Sequence, residues 1–125
     1  MANPNTTAGS QVAVYNDNAG MAVTTVETML VENSAASGEL LRITTLRINN
    51  VDGVNNAEIT AKHYLGATPI NICGVSHVVP KQASLDLADG DNPIYLKEGD
   101  SIKLTANADG DLDAICYFQR ISESA

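Results

Sequence analysis

Along most of this chain the apolar residues fall at every second position, in short runs closed by turn residues, and no stretch shows helical periodicity. Successive side chains of a β-strand point to opposite faces, so such runs predict strands with one face in a core. Residues 57–65 are the cleanest case, with Ile59, Ala61, His63 and Leu65 alternating against Glu58, Thr60, Lys62 and Tyr64. Residues 22–32 alternate with apolar side chains on both sides, which predicts one strand covered twice. In residues 40–49 the phase changes: Leu41 and Ile43 share one parity, Leu46 and Ile48 the other. A bulge near Thr44-Thr45 reconciles them. Asp52-Gly53 supplies a turn, so this segment and residues 57–65 read as a hairpin. Residues 70–79 are nearly continuously apolar until Pro80 breaks the ladder, and short strands follow at 83–87, 94–96, 101–106 and 112–121. The echo Ala88-Asp89-Gly90-Asp91 and Ala108-Asp109-Gly110-Asp111 marks turns, because Asp-Gly tolerates the backbone angles a tight turn needs. About seven or eight short strands with turns between them describe an all-β sandwich or barrel.

A length of 125 residues with no composition shift bounds the answer to one domain. Residues 1–20, rich in Asn, Thr, Ala and Gly, read as an N-terminal arm carrying one short strand around Val12, Val14 and Tyr15; residues 21–125 read as the sandwich. With no Trp and one Phe, small and β-branched residues must fill the core. That suits a sandwich about 10 Å thick better than a wide ligand cavity lined with aromatics. The net charge of −8 has the wrong sign for neutralising phosphates, so nucleic acid and anionic membrane are poor partners. No apolar run approaches the ~18 residues of a membrane span. The first ten residues have neither a basic start nor an apolar stretch, so no signal peptide is expected and Cys73 and Cys116 should be free thiols in a cytoplasm-like compartment.

The constellations that could carry chemistry each have a plainer reading. Asp109, Asp111 and Asp113, and similarly Asp86, Asp89 and Asp91, suggest calcium, but the first group lacks the glycine and the closing glutamate of an EF-hand loop and runs into a strand. His63 and His77 lack a third ligand at zinc spacing. Cys116 with either histidine could in principle form a nucleophile and base, yet no nucleophile-elbow motif or phosphate loop accompanies them. No enzyme, metal or cofactor is expected. What remains is surface chemistry: Arg42 and Arg47 are two of only seven basic residues on an acidic molecule, and arginine is enriched at protein interfaces.

The runs Val79-Pro80-Lys81-Gln82-Ala83-Ser84-Leu85, Leu96-Lys97-Glu98-Gly99-Asp100-Ser101-Ile102 and Cys116-Tyr117-Phe118-Gln119-Arg120-Ile121, with Leu46-Arg47-Ile48-Asn49-Asn50 and residues 57–64 before them, resemble a group of small tailed-phage virion proteins. The likeness covers roughly residues 40–121, and the segment before about Glu32 departs from the group. It implies a single immunoglobulin-like or jelly-roll-like antiparallel sandwich that decorates a capsid, with neck, tail or fibre association as the alternative. A capsid decoration, or cement, protein would bind the major capsid protein on the outer head surface after assembly in the host cytoplasm, as a homo-oligomer, with a trimer implied by the resemblance. The candidate subunit contacts are Asn3, Thr6, Gln11 and Tyr15 on the arm and Arg42 and Arg47 on the strand. A carbohydrate-binding module is the reading from another class, with Tyr64, Tyr95 and Tyr117 as its platform.

Overall fold

The computed structural model describes residues 11–124, and among them every regular element is a strand. In chain order these are β1 (Gln11–Val23), β2 (Thr28–Glu32), β3 (Glu39–Asn50), β4 (Ala57–Leu65), β5 (Thr68–Asn71), β6 (His77–Val79), β7 (Ser84–Ala88), β8 (Ile94–Leu96), β9 (Ser101–Ala106) and β10 (Leu112–Ser124). They form two five-stranded antiparallel sheets. Sheet I runs β1-β10-β3-β7, with β8 on the same edge of β3 as β7; sheet II runs β2-β9-β4-β5, with β6 beside β5 on β4.

The alternation explains the core. Leu41, Ile43, Leu46 and Ile48 of β3 are fully buried and face Ile59 and Ala61 of β4 and Ile102 and Leu104 of β9, also fully buried. The parity change in β3 is real: Thr45 pairs with Tyr117 and Ile43 with Phe118, leaving Thr44 as the extra residue, and its hydroxyl donates to the Tyr117 carbonyl at 3.1 Å. The bulge lets Ile43 and Leu46 both point inward. The all-β sandwich is as expected. Ten strands appear instead of about eight partly because the apolar run at 70–79 is two strands, β5 and β6, separated by a loop on one edge of β4.

Three local expectations are corrected. Residues 22–32 are not one strand: Val23 ends β1 in sheet I, residues 24–27 turn the corner, and β2 belongs to sheet II. Apolar side chains on both parities came from this change of sheet. Residues 40–49 and 57–65 are not a hairpin, since β3 and β4 lie in different sheets and residues 51–56 cross between them. Residues 11–20, read as part of an arm, belong to a 13-residue strand paired along its whole length with β10. Residues 1–10, the rest of that arm, lie outside the described residues.

Buried polar side chains fasten the crossings. Asn33, fully buried after β2, donates its amide to the carbonyls of Glu39 (2.8 Å) and Leu96 (2.9 Å), while its side-chain oxygen accepts from the Ser37 hydroxyl. Asn50, at the end of β3, donates to the carbonyls of Val79 (2.9 Å) and Asn55 (3.1 Å). Each satisfies backbone groups that a change of sheet would otherwise strand. The Leu96-to-Ile102 motif works similarly: Gly99 takes φ +88°, and the buried Asp100 carboxylate accepts from the Lys97 and Gly66 amides, both at 3.1 Å.

Candidate interaction surface

Strand pairing lays out the outer face of sheet I in rows. Asn16, Gln119, Arg42 and Tyr95 form one row across β1, β10, β3 and β8; Asn18, Tyr117 and Thr45 form the next. A further row holds Gly20, Ile115, Arg47 and Asp86. Arg42 and Arg47, predicted as subunit contacts, therefore share a face. Arg42 donates to the Tyr95 hydroxyl at 3.3 Å and to the Gln119 side-chain carbonyl at 3.4 Å. Arg47 pairs with Asp86 at 2.7 Å with both side chains about half exposed. Tyr95 and Tyr117 are likewise half exposed, so the face combines aromatic area, two cations and amides. That mix resembles interface composition more than ordinary acidic surface. A shallow depression of ≈ 360 Å³ at the end of this face, around Met21, Asn49 and Asp113, is at the small end of ligand-site volumes.

Tyr15 lies elsewhere. It shares the inner parity of sheet I with Arg120, its partner across the ladder, and is 60 % exposed because that end of the sheet extends past the core. Arg120 reaches Asp17 and Glu39, each at 2.9 Å, tying β1, β10 and β3 together. The charge-assisted bond from Arg120, with the Asn18 amide, holds the Asp17 carboxyl below its ordinary range. Gln11 opens β1 opposite Ser124, and Asn3 and Thr6 lie outside the described residues.

Sheet II presents a different outer face. Tyr64 donates to Glu27 at 2.8 Å and lies under the Lys103 ammonium, 4.3 Å from the ring centre. The three tyrosines of the carbohydrate reading thus stand on opposite sides of the sandwich, with only Tyr95 and Tyr117 sharing a surface. A flat sugar-stacking platform of all three does not form.

The reactive-group candidates do not converge on one site among the described residues. Asp89 Oδ1 accepts from the Asp91 and Asn92 amides and so closes its own turn, whereas Asp109 Oδ1 accepts from the Thr25 amide and ties the β9–β10 turn to the β1–β2 corner. Among the described residues no group of three or more His, Cys, Asp or Glu is placed to hold a metal ion. His63 Nε2 sits 3.5 Å from Asp100 Oδ2, buried and without a hydrogen-bond partner among the described residues, whereas His77 lies exposed on β6. Burial pushes the Cys116 thiol up to about 11 and raises Cys73 as well, opposite to the shift that activates a nucleophile. At the junction of the β3–β4 and β9–β10 crossings, Asp111 is raised by desolvation and then by the neighbouring Asp52, which its own amide contacts hold low.

No family model and no curated protein matches the chain. Among solved structures it is similar to a subunit of Bacillus endospore appendages, described as disulfide-linked pili, with a TM-score of 0.54 and 8 % identity over 93 % of this chain and 91 % of that one. A weaker likeness, to the structure of infectious bursal disease virus Gx strain, has a TM-score of 0.25 and 14 % identity over 91 % of this chain and 39 % of that one, and no argument rests on it. At these identities the appendage comparison shows a shared two-sheet β fold.

Proposed function

We propose that the chain is a structural, non-catalytic subunit of a large protein assembly, and specifically a tailed-phage virion protein that decorates the head by bridging neighbouring major capsid proteins. The observation that carries the reading is the outer face of sheet I, where Arg42, Arg47, Tyr95 and Tyr117 form one amphipathic surface on an otherwise acidic molecule. Aromatic residues and arginine supply most of the energy of typical interfaces, and paired arginines can exchange an internal carboxylate for one on a partner. Within that class, the residue runs that resemble small tailed-phage virion proteins are what favour a phage particle. Full-length similarity to a pilus subunit is consistent with a fold used for building, although linkage by disulfides, which describes those pili, is not part of the proposal: Cys116 is buried and Cys73 partly so.

Mass spectrometric copy counting and imaging of particles that contain the chain test the proposal. Decoration requires copy numbers comparable to those of the major capsid protein, with density on the outer shell. A single ring's worth at the neck or tail would favour the alternative location. Within the particle, Arg47→Glu combined with Tyr117→Ala should abolish head binding while leaving the isolated subunit folded. Unchanged binding would remove this face from the contact.

A further inference from the structure

The four sheet edges of the sandwich are defended unequally. On the far edge of sheet I, β7 has five residues with Asp86 paired to Arg47, and β8 has three, entered from Pro93. On sheet II, β2 has five residues and an irregular register between Met29 and Val31, β5 carries Pro69, and β6 has three residues and stops at Pro80. Short strands, bulges and prolines are the devices by which natural proteins stop an exposed edge from recruiting another strand. The remaining edge, β1, has none of them. It runs 13 residues with no Pro, Lys or Arg, its register with β10 is unbroken, and no described strand pairs with its second edge. It also exposes apolar side chains, with Val12 at 68 % and Val14 at 53 %. Its one ionised residue, Asp17, is engaged by Arg120 of the neighbouring strand, so the edge itself brings little net charge to a partner.

We propose that β1 is an association edge whose occupant is β1 of a second copy of this chain, added antiparallel about a twofold axis so that the two first sheets become one. Net charge sets where a copy can dock: two molecules of net charge −8 repel broadly, and this neutralised strand is where they meet with least repulsion. The strand is also self-complementary. In a register centred on Asn16, Tyr15 of each copy faces Asp17 of the other, Val14 faces Asn18, Ala13 faces Ala19 and Val12 faces Gly20, so no two like charges and no two bulky side chains are set against each other. A twofold contact of this kind is isologous and closes at two. It differs from the trimer implied by the virion resemblance, and it holds whether or not the assembly is a virion. Pairing would also set the outer faces of the two first sheets side by side, doubling the surface that carries Arg42 and Tyr117.

Sedimentation equilibrium of the full chain, with Val14→Lys and the control Val26→Lys, tests the proposal. Val26 is 70 % exposed in the β1–β2 corner and off the strand, so both variants change net charge equally. The unmodified chain and Val26→Lys should sediment as dimers, and Val14→Lys should raise the dissociation constant by at least about tenfold, with a melting temperature that matches the unmodified chain's when both are diluted to monomer. Added positive charge lowers the repulsion between acidic copies, so a loss of association can only come from the edge. Val12→Lys reads the same contact if Val14→Lys perturbs folding. A monomer at about 100 µM overturns the proposal, as does a trimer or larger closed species, or a dimer that Val14→Lys and Val12→Lys leave intact.

Discussion

Asn33 is a polar residue whose removal should cost more than that of most core methyl groups. It is fully buried, and truncating it leaves the Glu39 and Leu96 carbonyls without their donor at the point where the chain changes sheets. Asn33→Leu should lower stability by about 3 kcal/mol, read by urea denaturation, because an unsatisfied buried acceptor carries its full desolvation cost. An exposed pair behaves differently. Arg47→Ala should leave the urea midpoint nearly unchanged, since the Arg47–Asp86 bridge is half solvated. Asp111 adds a pH-dependent case. Its carboxyl is raised in the folded state by desolvation and by Asp52, so its contribution to folding is favourable where it is protonated and is lost as pH rises through that raised value. Asp111→Asn should therefore raise the melting temperature at pH 7, with the gain shrinking as pH falls through the raised value and gone below the ordinary aspartate value of about 3.9. A gain that persisted unchanged at pH 3 would point to a cause other than charge.

At the scale of elements, the bulge at Thr44 decides which side of β3 enters the core. Deleting Thr44 would force Glu39 to Ile43 out of phase, exposing Leu41 and Ile43 or burying Arg42. Two large aliphatic side chains are worth about 2 kcal/mol each, a sizeable share of a domain's total stability. The deletion should abolish cooperative thermal unfolding by circular dichroism, whereas Thr44→Val, which loses only the bond to the Tyr117 carbonyl, should cost about 1 kcal/mol. This bulge was legible in the sequence because an apolar run that stays in one strand changes parity only where an extra residue is inserted. The limits of β8 and β9 were legible too, being bracketed by Pro93 and by the Gly99 and Asn107 turns. The pairing of strands was not: alternation reports that a residue faces a core, but not from which sheet, so the β3–β4 crossing read as a hairpin. β1 read as an arm because Asn, Asp, Ala and Gly have low strand propensity. Thirteen consecutive pairings with β10 override that preference. Of the candidate surface, the arginines were visible as rare cations, while the joining of Arg42 to Tyr95 and of Arg47 to Asp86 depends on β8 and β7 both returning to β3, which no local signal records.

For the whole molecule, order along the chain and order in the sheets are far apart. Gln11 pairs with Ser124, and most connections pass between sheets, so nearly every ladder joins distant residues. Refolding from denaturant should fall on the millisecond-to-second scale of high-contact-order β proteins, as measured by stopped-flow fluorescence of the tyrosines. Sub-millisecond refolding would contradict the topology. The position of β10 between β1 and β3 also bears on how a cell makes this protein. A central strand of sheet I is the last of the ten to leave the ribosome, so until it emerges its two neighbours wait with their facing edges open. A nascent chain is consequently most exposed to cross-pairing with other nascent copies just before β10 appears, and the subunit becomes safe to accumulate in bulk only once that strand has slotted in.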